Sequence, residues 1–217
     1  MDNIPSAVLA EFIKACHGIA ARKLLRCSSG NLSLRLDEDY MIITASKSWM
    51  AEMTVERITM CRIDDGSVVH GKPPSIEIQF HHELMKRRPD VNAVLHYQSP
   101  AATAITCMPA GSVDFNAVPE IPFNMGRVGA VPYLLPGSPE LAAEVIRVML
   151  DHDIATMQNH GQITVGPDLR QVVQNAEFFE LACDIILRSG GRAVPLSSPD
   201  VEELITLGLT GHGRSGV

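Results

Sequence analysis

Apolar residues recur along residues 5–25 at three- to five-residue steps (Val8, Phe12, Cys16, Ile19, Leu24), the spacing of a helix with one buried stripe. The period then shortens. From Asn31 to Leu36 the leucines at 32, 34 and 36 alternate with Ser33 and Arg35, which predicts a half-buried strand. Tyr40 to Ala45 is a short apolar run with β-branched residues, a second strand joined to the first through Asp37-Glu38-Asp39. Ile58 to Ile63 reads as a third, ending in the turn Asp64-Asp65-Gly66.

Ser75 is placed to cap a helix running to about Arg87, and Pro89-Asp90 stops it before a strand from Asn92 to Tyr97. Ser99-Pro100 opens another helix with proline in its first turn, where the missing N–H costs nothing. Val128 to Leu134 is expected to be extended. A helix follows from Ser138-Pro139 to about His152, then strands from Ile154 to Gln158 and from Gln162 to Val165. Asp168 caps a long helix to about Ser189, and a short helical tail covers Pro199 to Leu207. Strands in hairpin-like pairs interleaved with helices predict a mixed sheet covered by helices. No stretch has the composition of a linker, so residues 1–217 are read as a single α/β domain.

Composition narrows the function classes. Of 217 residues, 46% are apolar, enough for a sizeable core, and the net charge of −7 offers no basic face to nucleic acid or to an anionic membrane. An anionic substrate therefore needs a local pocket. No apolar run reaches the ~18 residues of a membrane-spanning helix, and Met1-Asp2-Asn3-Ile4-Pro5 lacks the features of a signal peptide. Five scattered cysteines without a C-x-x-C pair read as reduced thiols, so a cytoplasmic protein is expected.

Two polar spots end apolar strands. His96 follows Val91, Ala93, Val94 and Leu95, with Gln98 two residues on and facing the same way; His160 follows Ile154, Ala155 and Met157 in Gln158-Asn159-His160-Gly161. Two imidazoles with a carboxylate make a recurrent divalent-metal set. Taken singly, each also reads as a hydrogen-bonded core or turn histidine, the commoner case. Glu77 stands in the first turn after Ser75, where the helix dipole alone favours a carboxylate. Glu77 with His81, four apart, is an alternative ligand pair, although His81, His82 and Glu83 read better as a solvated helix face. Three segments could cradle an anion: Ser28-Ser29-Gly30-Asn31, Thr44-Ala45-Ser46-Lys47, and the helix start at Ser75.

In order along the chain, Ser29-Gly30-Asn31-Leu32-Ser33-Leu34-Arg35, Ile43-Thr44-Ala45-Ser46, Pro74-Ser75-Ile76-Glu77, Arg88 to His96, Pro132-Tyr133 with Pro136-Gly137, and Asn159-His160-Gly161 resemble the class II aldolase/adducin family over about residues 7–190. The resemblance implies a three-layer α/β/α fold around a mixed, largely antiparallel sheet, and a homotetramer with sites between subunits. It implies a divalent metal, zinc above all, held at the positions of His96, Gln98, His160 and Glu77, with Glu77 also the catalytic acid/base. It places a phosphate cradle at Ser28, Gly30, Asn31, Ser46 and Ser75, to which Lys47 adds a cation.

Three departures stand out: Gln98 where the family usually has histidine, which widens the metal choice to manganese or magnesium; Lys47 where glycine is common; and Ser75-Ile76 in place of a serine pair. The resemblance implies a lyase that splits a small phosphorylated ketose, a divalent cation taking up the enediolate charge left when the carbon–carbon bond breaks. Met125-Gly126-Arg127-Val128-Gly129 resembles a decarboxylase branch acting on phosphorylated 3-oxo sugar acids, with Arg127 available to a carboxylate. A 4-epimerase and a non-catalytic adducin-like interaction module are the remaining readings.

Overall fold

The computed structural model describes residues 4–211. The first helix, α1 (Ser6–Ala21), buries Leu9, Phe12, Cys16 and Ile19, the stripe that the spacing predicts. It stops short of residue 25 because Lys23 turns into the left-handed region at φ 60°, and the Leu24 N–H closes back on the Ile19 carbonyl.

Eight strands follow: β1 (Asn31–Arg35), β2 (Tyr40–Thr44), β3 (Ile58–Arg62), β4 (Val68–His70), β5 (Ala93–Tyr97), β6 (Val128–Val131), β7 (Ile154–Met157) and β8 (Gly161–Gly166). They form one sheet in the order β4-β3-β2-β1-β5-β8-β7-β6. Only β6 and β7 run parallel; every other neighbouring pair is antiparallel. The remaining helices are α2 (Ile78–Arg87), α3 (Pro100–Thr106), α4 (Glu120–Met125), α5 (Pro139–Met149), α6 (Leu169–Arg188) and α7 (Ser198–Gly211).

Strand alternation sorts side chains into two cores. Met41, Ile43, Val94, Ile163 and Val165 face Phe80 and Leu84 of α2 and Val145 and Met149 of α5. Leu32, Ile42, Leu95 and Tyr97 face Phe12 and Ile19 of α1 and Val172 and Ala176 of α6. Helices thus cover both faces, the three-layer α/β/α arrangement that the sequence leads one to expect. The same alternation sends His96 to the α2 side with Val94, and Asn31 and Ser33 to that side too, opposite in parity to Leu32.

Four elements differ from expectation. The extended segment from Val128 ends at Val131, where Pro132 supplies no N–H to continue a ladder. The strand β4 and the short helix α4 have no counterpart in the sequence reading. The tail helix is longer, reaching Gly211, and is tied back by an ion pair between Glu202 and Arg127. Arg127, a candidate partner for a substrate carboxylate, is spoken for by that pair on the exposed surface.

Candidate metal centre

Three chain segments deliver three ligands. Glu77 is the N-cap residue of α2, His96 lies near the end of β5, and His160 sits in the turn between β7 and β8. That turn needs Asn159 at φ 53°, a left-handed conformation that asparagine tolerates better than most residues. One ligand atom from each of Glu77, His96 and His160 falls within 4.8 Å of the others. The His96 Nε2 is 3.6 Å from Glu77 Oε2, and the His160 Nε2 is 3.6 Å from Glu77 Oε1. The two imidazole rings meet edge to face, 4.9 Å between centroids.

The protonation pattern suits a cation. The His96 Nδ1–H donates to the Gln162 carbonyl at 2.9 Å, which turns Nε2 towards Glu77. Burial, with the neighbouring His96, pushes the His160 pKa down to about 4 against the pull of Glu77, so the His160 ring is neutral near pH 7. Glu77 Oε1 and His160 Nδ1 are buried without a hydrogen-bond partner. An orphaned carboxylate oxygen beside the His160 imidazole, on a carboxylate whose other oxygen faces His96, costs free energy unless something cationic meets it, and a divalent ion answers that need. The donor set, two imidazoles and a carboxylate, is one that zinc accepts.

Two glycines make the room. A Cβ on Gly161 would stand 2.6 Å from the Tyr97 carbonyl oxygen, 2.8 Å from Gln98 Cγ and 3.2 Å from His96 Cε1. A Cβ on Gly30, which is at φ 79°, would stand 2.6 Å from the His96 carbonyl oxygen. Gln98 lies half-buried just past the end of β5, packed against Gly161.

Around this cluster the anion-cradle candidates divide. Asn31 is buried, and its Nδ2 donates both to Ser75 Oγ at 2.9 Å and to Glu77 Oε2 at 2.8 Å. Ser75 Oγ also accepts from the Glu77 backbone N–H at 3.3 Å. The loop carrying Ser46 and Lys47 is pinned alongside by the Ala45–Pro74 bridge and by the Ser46 N–H on the Pro73 carbonyl. Lys47 is exposed and left-handed at φ 58°, the third residue of a turn closed by the Ser48 N–H on the Ala45 carbonyl. Ser28 stands exposed two residues before Gly30 and takes no part in the Asn31–Ser75–Glu77 bonds.

One expectation is corrected. His81 and His82 are buried, not solvated. His81 is no ligand partner for Glu77 either: Ser33 Oγ lies 2.7 Å from its Nδ1, and Asn31 Oδ1 binds its Nε2. The signal was available in the alternation that sends Asn31 and Ser33 to one face, but nothing in a single sequence says that α2 lies across that face.

A three-layer sheet with a buried carboxylate–imidazole cluster at the strand ends defines a metal-dependent class of α/β protein. The chain belongs to the class II aldolase family: residues 10–187 match the family model described as the Class II Aldolase and Adducin N-terminal domain. It is 30% identical over 180 residues, 81% of this chain and 85% of the other, to the 3-oxo-tetronate 4-phosphate decarboxylase of Haemophilus influenzae. It is 33% identical over 173 residues, 79% of this chain and 91% of the other, to the L-fuculose phosphate aldolase of Methanococcus vannielii. Among solved structures, YgbL from Escherichia coli superposes with a TM-score of 0.86 at 27% identity, covering 92% of this chain and 98% of that one. Among the described residues no helix is long and apolar enough to cross a membrane.

Proposed function

We propose that this protein is a divalent-metal-dependent carbon–carbon lyase that decarboxylates a phosphorylated 3-oxo sugar acid. The observation that carries the reading is the convergence of Glu77, His96 and His160, with Glu77 Oε1 left without a hydrogen-bond partner beside His160. Likeness to the 3-oxo-tetronate 4-phosphate decarboxylase over most of both chains supports the substrate class. Lys47 supports it too, because a substrate with a carboxylate as well as a phosphate carries more negative charge than a ketose phosphate.

Glu77, His96 and His160 would hold the ion, with Gln98 as an additional oxygen donor, and zinc is the metal best suited to the imidazoles. A bound divalent cation supplies the Lewis acidity that draws negative charge onto the substrate's oxo oxygen. Ser28, Gly30, Asn31, Ser46, Lys47 and Ser75 form the cradle that holds the phosphate and fixes the scissile bond over Glu77. As carbon dioxide leaves C1, the bonding pair stays on C2, and Glu77, after taking up a proton from solvent as the substrate enters, delivers it there and returns to the carboxylate, leaving a three-carbon hydroxyketone phosphate. Proton delivery at that carbon requires the carboxyl to stay within reach and poorly solvated, as its burial provides.

Aldol cleavage is the second reading, favoured by the likeness to the L-fuculose phosphate aldolase. It leaves the same kind of charged donor fragment, so the two reactions differ in whether carbon dioxide or an aldehyde departs. Exposed Ile76, Tyr133 and Leu135 near the site support the further proposal of a homotetramer with sites at subunit interfaces.

The test is direct. Purified protein with zinc, manganese or magnesium is given 3-oxo-tetronate 4-phosphate and a panel of ketose 1-phosphates. Carbon dioxide release from the first and no aldehyde from the others is the expected result; aldehyde release alone would move the protein to the aldolase reading.

A further inference from the structure

We propose that His81 is a positioning residue that fixes the amide of Asn31, and through it decides which oxygen of Glu77 is left to meet the cation and the substrate. The inference rests on the metal-lyase reading for its functional consequence, but its geometry stands by itself. Four side chains form one chain of hydrogen bonds: Ser33 Oγ to His81 Nδ1, His81 Nε2 to Asn31 Oδ1, and Asn31 Nδ2 to Glu77 Oε2.

Each link fixes the polarity of the next. A carboxylate oxygen only accepts, so Asn31 presents its NH2 to Glu77 and its carbonyl oxygen to His81. His81 must then donate from Nε2. It is fully buried, which holds the ring neutral with a single proton, so Nδ1 is an acceptor and the Ser33 hydroxyl donates to it. Phe80 stacks on the His81 ring with 4.8 Å between centroids, which keeps the ring plane in place. A flipped Asn31 would set its carbonyl oxygen against the Glu77 carboxylate, two acceptors face to face. Oε2, 3.6 Å from His96 Nε2, thus carries the Asn31 bond, while Oε1, 3.6 Å from His160 Nε2, accepts no hydrogen bond.

The test uses His81→Leu, which keeps bulk but has no donor, and His81→Gln, whose amide can donate to Asn31 and accept from Ser33. Two readouts are taken, cobalt(II) affinity by competition and hydrogen-exchange protection of the Asn31 side-chain 15NH2 pair. The expected result is wild-type behaviour in His81→Gln and, in His81→Leu, cobalt binding weakened about tenfold or more with the amide pair unprotected. A folded His81→Leu protein that retains both would overturn the proposal.

If His81→Leu does not fold, the wild-type protein still decides. Long-range 1H–15N correlation of the His81 ring should show the Nε2–H tautomer, and an Nδ1–H tautomer sinks the idea. Should wild-type protein bind no cobalt, the metal-lyase reading fails separately, while the ring tautomer and amide protection continue to judge the hydrogen-bond chain.

Discussion

Asn31 and His96 lie directly opposite one another on the antiparallel strands β1 and β5, both turned to the face that α2 covers. This register brings the amide that binds Glu77 next to one imidazole of the cluster. A slip of β1 by one residue would turn Asn31 to the α1 side and Leu32 out of its core, taking the amide away from Glu77.

Replacing Glu77 by glutamine should remove turnover by roughly 10²–10⁴. Because Asn31 Nδ2 demands an acceptor, the glutamine oxygen takes the place of Oε2 and its NH2 faces His160. Cation affinity should therefore fall as well. Turnover measured at saturating metal separates the two losses; activity within a factor of two of wild type would take Glu77 out of the proton-transfer role.

Stability should fall on acidification in the metal-free protein. His160 titrates at about 4 in the folded chain, below the ordinary histidine value of 6.5. Between those values the unfolded chain takes up a proton that the folded one refuses, so its contribution is present above pH 6.5 and is lost as pH drops towards 4. The size for this one group is on the order of 3 kcal/mol. Urea unfolding at pH 7 and pH 4 measures it, and His160→Gln should flatten the slope by His160's share.

Lys47→Gly should move two properties in opposite directions. The left-handed φ of 58° suits glycine, so the variant relieves about 1 kcal/mol of backbone strain and should melt higher. At the same time it deletes the cation beside the cradle, and KM for a phosphorylated substrate should rise. Thermal unfolding and steady-state kinetics on one preparation check both; a higher melting point with unchanged KM would make Lys47 an incidental surface residue.

Gly161→Ala pushes a methyl group into the Tyr97 carbonyl and Gln98, close to His96. The Tyr97 carbonyl cannot swing aside as a side-chain tip can, so the end of β5 must shift as a whole. The expected outcome is at least about tenfold weaker divalent-metal binding, since a ligand displaced by even a few tenths of an ångström loses its geometry. Calorimetric titration with zinc or manganese reads the change.

The layers and most strands were legible because they rest on local pattern, such as the alternation in β1; local pattern marked His96, His160 and Glu77 only singly, and the resemblance to the class II aldolase family joined them into one set. What escaped rests on non-local partners or lacks a periodic signal. His81 looks like a solvated helix residue until Ser33 and Asn31, 48 and 50 residues earlier, are laid against it. The three residues of β4 are all exposed and show no alternation, while α4 is only six residues long with a proline inside. The loops around Asn31 and Ser75 were legible as polar turns, but not the bonds within them, where the side-chain N–H groups of Asn31 go to Ser75 and Glu77.

Gly30 and Gly161 flank the His96–Tyr97 backbone and leave no slack at either position. Lys47 and Ile76, by contrast, project into solvent at the rim. The fold therefore separates a cluster that tolerates no added methyl group from a rim open to variation. Under the proposed lyase reading, that rim is where a change of phosphorylated substrate would be accommodated.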